Sequence, residues 1–141
     1  MKIYSYLPAS DAYTTYRPDG GGEEQIMEHG MIDGRIYFSG PDDLPQQRED
    51  LQIEEAVLTD QLKEEIKRIS PHFQLISQRI IDKIRAKYPI DEELYLARIG
   101  VGAATGMYQP APEEMVEMQE FGVFVEDART WGRAQRAALG V

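Results

Sequence analysis

Nine apolar residues, Leu58, Leu62, Ile66, Ile69, Phe73, Ile76, Ile80, Ile84 and Tyr88, recur at spacings of 4, 4, 3, 4, 3, 4, 4 and 4. A half-buried strand needs alternation, whereas this period places every one of them on one face of an α-helix. The stretch must therefore be helical and must bury that face. Pro71 falls in the middle without shifting the phase. Ser70-Pro71 reads as an N-cap followed by proline at the first helical position. The continuous phase favours one long kinked helix, or two nearly collinear ones, over a helix–turn–helix, which would reset the stripe. Pro89 ends it.

The chain beyond is also helical in pattern. Asp91 is placed to cap a third helix through about Ala97 or beyond, with Ile90, Leu94, Ala97 and Val101 on one side. Gly100, Gly102 and Gly106 weaken it, and Gln109–Pro112 forms a break. A last helix is expected from Pro112 or Glu113, with Met115, Met118, Phe121, Val125 and Ala128 apolar and Trp131 on or near that face. Glu113, Glu114, Glu117 and Glu120 lie at its start and Arg129, Arg133 and Arg136 near its end, which matches the helix dipole at both termini. Gly140 is placed as a C-cap glycine.

Residues 1–57 differ in kind. They hold five of the eight tyrosines, with prolines and glycines among short runs. Ile3–Leu7 and Tyr13–Arg17 read as strands, because β-branched and aromatic side chains suit a pleated surface. Pro18–Gly22 is a turn or loop. Asp33-Gly34 separates Gln25–Ile32 from Arg35–Ser39 and predicts a tight β-hairpin. From Pro41 to about Glu55 the chain reads as a linker. The expected fold is thus α+β: a small N-terminal antiparallel β-hairpin or meander over 1–57, then three to four helices over 58–141, in one domain overall.

Composition limits the chemistry. With no cysteine there is no disulfide scaffold, zinc ribbon, iron–sulfur cluster or thiol nucleophile. No run approaches 18 consecutive apolar residues, so no membrane span is expected, and the N-terminus lacks an apolar signal core, so a cytoplasmic location is expected. The net charge is -10, from 25 acidic and 15 basic residues. It argues against nucleic acid as a partner, since phosphate-backbone binding needs a basic surface. The charge is uneven: residues 1–57 carry twelve acids and four bases, while 58–141 carry thirteen and eleven.

Motifs that would carry catalysis fail on spacing. Asp42-Asp43, Glu54-Glu55, Glu64-Glu65 and Asp91-Glu92-Glu93 are adjacent acids, and neighbours on a helix point about 100° apart, so they do not converge on one ion. Pro41-Asp42 followed by Glu65-Ile66-Lys67 is formally like a metal-dependent nuclease signature, but that chemistry needs the Glu-x-Lys on a strand. Gly100-Val101-Gly102-Ala103-Ala104-Thr105-Gly106 has its third glycine one place late for a dinucleotide loop and lacks the lysine of a Walker loop. Here the glycines read as a connector or a close helix contact. His29 and His72 each lack a second histidine or a cysteine at ligand spacing. No metal, cofactor or small-molecule ligand is therefore expected.

Two features point to an interaction surface. Arg79, Lys83 and Lys87 repeat at i, i+4 and i+8, and residues 67–87 hold six bases against Asp82 alone. The last helix carries more apolar residues than one stripe can use: Met115, Val116, Met118, Phe121, Val123, Phe124, Val125 and Trp131. Methionines and aromatics suit adaptable partner surfaces. The candidate partner surface is Arg79, Lys83, Lys87, Met115, Met118, Phe121, Phe124 and Trp131, taken by a protein partner or by self-association.

Tyr88-Pro89-Ile90-Asp91-Glu92-Glu93-Leu94 and Phe124-Val125-Glu126-Asp127-Ala128-Arg129-Thr130-Trp131-Gly132-Arg133, with the opening Met1-Lys2-Ile3-Tyr4-Ser5, resemble small tailed-phage proteins encoded near tail and fibre genes, including tail- and fibre-assembly chaperone types. That resemblance covers residues 88–141. It implies a non-enzymatic protein that caps, folds or joins virion components, in the host cytoplasm or the virion, and it carries over no site residue. The expected function is a protein–protein interaction or assembly module. One alternative is an acidic inhibitor or DNA mimic, with Asp42, Asp43, Glu49 and Asp50 among its charges. The other is a small carboxylate-based metal-dependent enzyme.

Overall fold

The computed structural model describes residues 1–21 and 25–141. Gly22, at the end of the expected Pro18–Gly22 loop, and two acids of the N-terminal charge count, Glu23 and Glu24, lie outside the described residues. The fold is α+β: an N-terminal antiparallel meander followed by four helices. Strands β1 (Lys2–Tyr6), β2 (Ala9–Ser10), β3 (Thr15–Tyr16), β4 (Met27–Ile32), β5 (Arg35–Gly40) and β6 (Glu54–Glu55) precede helices α1 (Asp60–Ile69), α2 (Pro71–Lys87), α3 (Ile90–Thr105) and α4 (Pro112–Ala138). Among the described residues no helix is long and apolar enough to cross a membrane.

The main sheet has the order β4-β5-β1-β6, all antiparallel, and β2 pairs with β3 in a separate ribbon. The Asp33-Gly34 hairpin forms as expected. Both residues have positive φ, 50° and 81°, which gives the two-residue turn a twist matching its strands. The expected linker is more ordered than its broken sequence suggests. It contains a 3-10 turn at Glu49–Leu51, and its end pairs with β1 as β6. Leu51 is fully buried there, beside Tyr4, Tyr6 and Phe38. This packing explains the order: Phe38 stacks on Tyr4 with ring centroids 5.4 Å apart and meets Tyr6 edge-on at 5.8 Å, leaving an apolar slot that Leu51 fills.

Pro71 separates two helices, so of the two readings of the apolar stripe the single kinked helix is not the one formed. Thr59 caps α1 through its hydroxyl, which accepts from the Leu62 amide at 3.1 Å. Ser70 then adopts an extended conformation, φ -71° and ψ 123°, as expected for a residue preceding proline. Its amide still donates to Ile66 and its carbonyl still accepts from Gln74. Ser70 thus closes α1 with its amide and opens α2 with its carbonyl, so the two helices abut with a single residue between them and the apolar spacing runs on.

The chain divides into two compact units, residues 1–76 with 135–141, and residues 77–134. The division falls inside α2 and near the end of α4. The reason lies in the other face of the sheet, where α1, the start of α2 and the C-terminus all pack. A bulge in β4 between Glu28 and Gly30 leaves His29 as the extra residue and turns its ring inward. There His29 is almost wholly buried, with Phe73 at 5.4 Å and His72 at 5.9 Å between ring centroids.

Both ring nitrogens of His29 are engaged. Nε2 lies 2.6 Å from Ser39 Oγ, Nδ1 lies 2.8 Å from Ser70 Oγ, and Ser39 Oγ donates to the Leu139 carbonyl at 2.5 Å. Because the Ser39 proton is committed to Leu139, its oxygen must accept from Nε2–H. On a neutral ring Nδ1 is then the acceptor, and Ser70 donates to it. One directional chain thus runs from Ser70 through the neutral imidazole of His29 and Ser39 to Leu139. Burial, and secondly the nearby His72, hold the ring down to about 4.

Two predictions follow from these contacts. A Cβ at Gly30 would stand 2.9 Å from Ile69 Cδ1, with φ at 144°, whereas one at Gly34 meets nothing. In urea denaturation Gly34→Ala should therefore cost about 1 kcal/mol and Gly30→Ala about 2–3 kcal/mol, and equal costs would contradict the close approach of α1 to β4. The second concerns pH. An unfolded chain takes up the His29 proton as pH falls through about 6.5, while the folded ring resists until about 4. Stability should therefore be lost progressively across that window, by roughly 3 kcal/mol in all. His29→Gln should remove this slope, and a wild type whose stability is flat between those pH values would contradict it.

Candidate interaction surface

Residues 77–134 form the helical unit. Its core is built on Tyr88, which ends the apolar stripe and sits just past the last turn of α2. Phe121 and Phe124 of α4 meet the Tyr88 ring edge-on at 5.0 and 5.6 Å. Leu96 and Ile99 of α3 and Ala128 of α4 are buried with it. Lys87 Nζ lies 4.7 Å from the Phe124 ring centre and 5.5 Å from that of Tyr88, and Lys83 Nζ lies 5.6 Å from Trp131. Each places a cation over an aromatic face while its stem covers apolar surface.

The structure thus brings together five of the eight residues singled out in the sequence: Lys83, Lys87, Phe121, Phe124 and Trp131. Phe121 and Phe124 serve the unit's own packing as well as its surface. Met118 is half-buried, and its sulfur would lie 3.3 Å from a Cβ at Gly100. Arg79 and Met115 are exposed. What the short list omitted are Val116 and Val123, both more than half exposed. With Lys87, Glu120, Phe124 and Asp127 they line a shallow groove beside α4. Their spacing of seven residues, two helical turns, was the signal for them.

The glycine segment is a packing device. α3 runs through Gly100 and Gly102 to Thr105 and ends at Gly106, whose φ is 71°. A Cβ at Gly102 would lie 2.8 Å from that of Tyr108, so the chain folds back directly over the helix. Glu114 fastens this turn. Its carboxylate accepts from the Ala111 amide at 3.1 Å, as in a capping box, and from the hydroxyls of Tyr108 at 2.8 Å and Tyr95 at 3.1 Å. These donors, the Ala111 amide first, hold the Glu114 carboxyl below its ordinary value.

The remaining motifs sit in structural roles. Glu65-Ile66-Lys67 lies within α1, with Ile66 buried, and so lacks the strand geometry of a nuclease. The two histidines are not isolated in space, since their rings are neighbours, yet both nitrogens of His29 are committed to serines. Among the described residues no three His, Asp or Glu side chains are grouped to hold a metal ion. Several N-terminal acids are tied down internally. Asp42 pairs with the N-terminal amine at 3.3 Å, Asp50 with Arg48 at 3.0 Å, Glu55 with Lys2 at 3.0 Å and Glu54 with Arg35 at 3.7 Å.

No protein-family model, curated protein or solved structure matches this chain.

Gly102→Ala should open the turn between α3 and α4. Amides near residues 102–112 should exchange faster with solvent while those of β1 and β5 are unchanged, and uniform protection in both would contradict the close packing.

Proposed function

We propose that the chain is a non-enzymatic assembly module that binds another protein through the apolar surface of its helical unit. The observation that carries this reading is where the exposed apolar residues lie. Of fifteen exposed large hydrophobic side chains among the described residues, ten fall within residues 77–134: Ile81, Ile90, Leu94, Tyr95, Val101, Met107, Tyr108, Met115, Val116 and Val123. A unit of that size does not bury them alone, and concentrated exposed apolar surface marks an interaction site. In the groove beside α4, a partner's apolar side chains cover Val116 and Val123. Lys87 on one side, with Glu120 and Asp127 on the other, fixes orientation. The resemblance of residues 88–141 to small tailed-phage accessory proteins makes virion tail, neck and fibre components the partners to try first, in host cytoplasm or virion.

The charge-mimic alternative is less well supported. A phosphate mimic needs free carboxylates in a rigid array, whereas Asp42, Asp50, Glu54 and Glu55 are already paired and Glu28 accepts from the buried Tyr6 hydroxyl at 2.6 Å.

Light scattering with tail, neck and fibre components tests the assembly reading. Complex formation is expected. The double variant Val116→Glu and Val123→Glu should lose at least about tenfold in affinity with its melting temperature preserved, because both side chains are exposed in the free protein. No complex with any of them, or one indifferent to this pair, would overturn it.

A further inference from the structure

A second apolar seam runs along α3, separate from the groove beside α4. Ile90, Leu94 and Val101 are 54%, 60% and 64% exposed, and Ala97 and Ala104 are exposed between and beyond them. Their spacings of 4, 3, 4 and 3 are those of the core positions of a coiled coil, and the helix spans about 24 Å. Within its own unit α3 buries the opposite side, Leu96 and Ile99, so this seam faces solvent.

The charges beside the seam indicate its occupant. Arg98 is the only basic residue of α3, and it has no acid three or four positions away on its own helix. It forms no ion pair among the described residues. Asp91 lies seven residues earlier on the same edge of the seam and is likewise without a basic residue three or four positions along. A two-fold axis perpendicular to the helix between them exchanges these positions. Asp91 of each copy then faces Arg98 of the other, Ile90 packs near Val101, and Leu94 packs near the small Ala97. Parallel pairing would also offer Arg98 an acid, Glu93 of the other copy, but it would gather the acidic first turns of both copies at one end of the dimer, where like charges repel. Antiparallel pairing also opposes the two helix dipoles favourably.

From this complementarity we infer that α3 pairs antiparallel with α3 of a second copy, closing a symmetric dimer over Ile90, Leu94, Ala97 and Val101. The inference rests on the reading of the helical unit as an interaction module, and it names a second copy as the occupant of this particular face. The interface is isologous, so it closes at two copies and leaves the groove beside α4 available to a different partner.

Sedimentation equilibrium over about a hundredfold range of concentration tests it, with circular dichroism to confirm that each variant is folded. The wild type should shift from monomer to dimer. Leu94→Glu should remain monomeric with an unchanged melting curve. Arg98→Glu should weaken the dimer about tenfold, and the charge swap Asp91→Lys with Arg98→Glu should restore it to within about threefold, which parallel pairing would not allow. A wild type that stays monomeric, a dimer indifferent to Leu94→Glu, or a swap that fails to rescue Arg98→Glu would each overturn the inference. The two proposals fail separately. A monomer that still binds a virion component through Val116 and Val123 overturns the seam alone. A dimer rescued by the swap but binding no such component overturns the proposed function alone.

Discussion

The hydrogen-bond chain from Ser70 through His29 and Ser39 to Leu139 is the constraint on which the N-terminal unit depends. It joins four points distant in sequence: the α1–α2 break, the β4 bulge, β5 and the residue after α4. Each bond contributes only about 1 kcal/mol net, but a buried polar atom left without a partner costs about 1–3 kcal/mol. The chain is therefore more important as a specification than as a source of stability. Any packing that shifts the C-terminus or the Ser70 break strands at least one polar atom among Phe73, Ile66 and Ile3, all of which are buried. The apolar core supplies the free energy, and the histidine selects which arrangement receives it.

Much of this fold was legible in the sequence, and the residues that were not share a cause. The stripe from Leu58 to Tyr88 and the Asp33-Gly34 turn are local signals, and both were realised. β6 and Leu51 were not legible, because their order comes from a slot formed by Tyr4, Tyr6 and Phe38, far away in the chain. The single kinked helix failed for a subtler reason. Ser70 turns extended yet preserves the hydrogen bonds on either side, so a phase argument cannot tell a kink from a break. Ser70 itself was read as an N-cap, while its hydroxyl is used for His29. The two histidines looked unrelated because 43 positions separate them in sequence, a distance the packing of α2 on β4 removes.

The helical unit shows the complementary situation. Its aromatic residues read as a surface in the sequence, and the structure packs several of them within the unit. Phe121 and Phe124 pack on Tyr88, and Lys83 and Lys87 lie over aromatic rings. Lys83 and Lys87, which looked like part of a basic partner surface, are partly consumed in covering the unit's own aromatic rings. What remains uncovered is aliphatic: Val116 and Val123 on α4, and Ile90, Leu94 and Val101 on α3. The charge asymmetry of the chain resolves in the same way. Several N-terminal acids have internal partners, whereas Asp91 and Arg98 flank bare apolar surface, where electrostatics orients an association rather than supporting the fold.

Amide hydrogen exchange followed residue by residue at low and at high protein concentration tests most directly whether association belongs to the helical unit. Slower exchange over residues 90–101 at high concentration, with β1, β5 and the Ser70 break unchanged, is the expected result. Slower exchange in the sheet, or no change in α3, would contradict it.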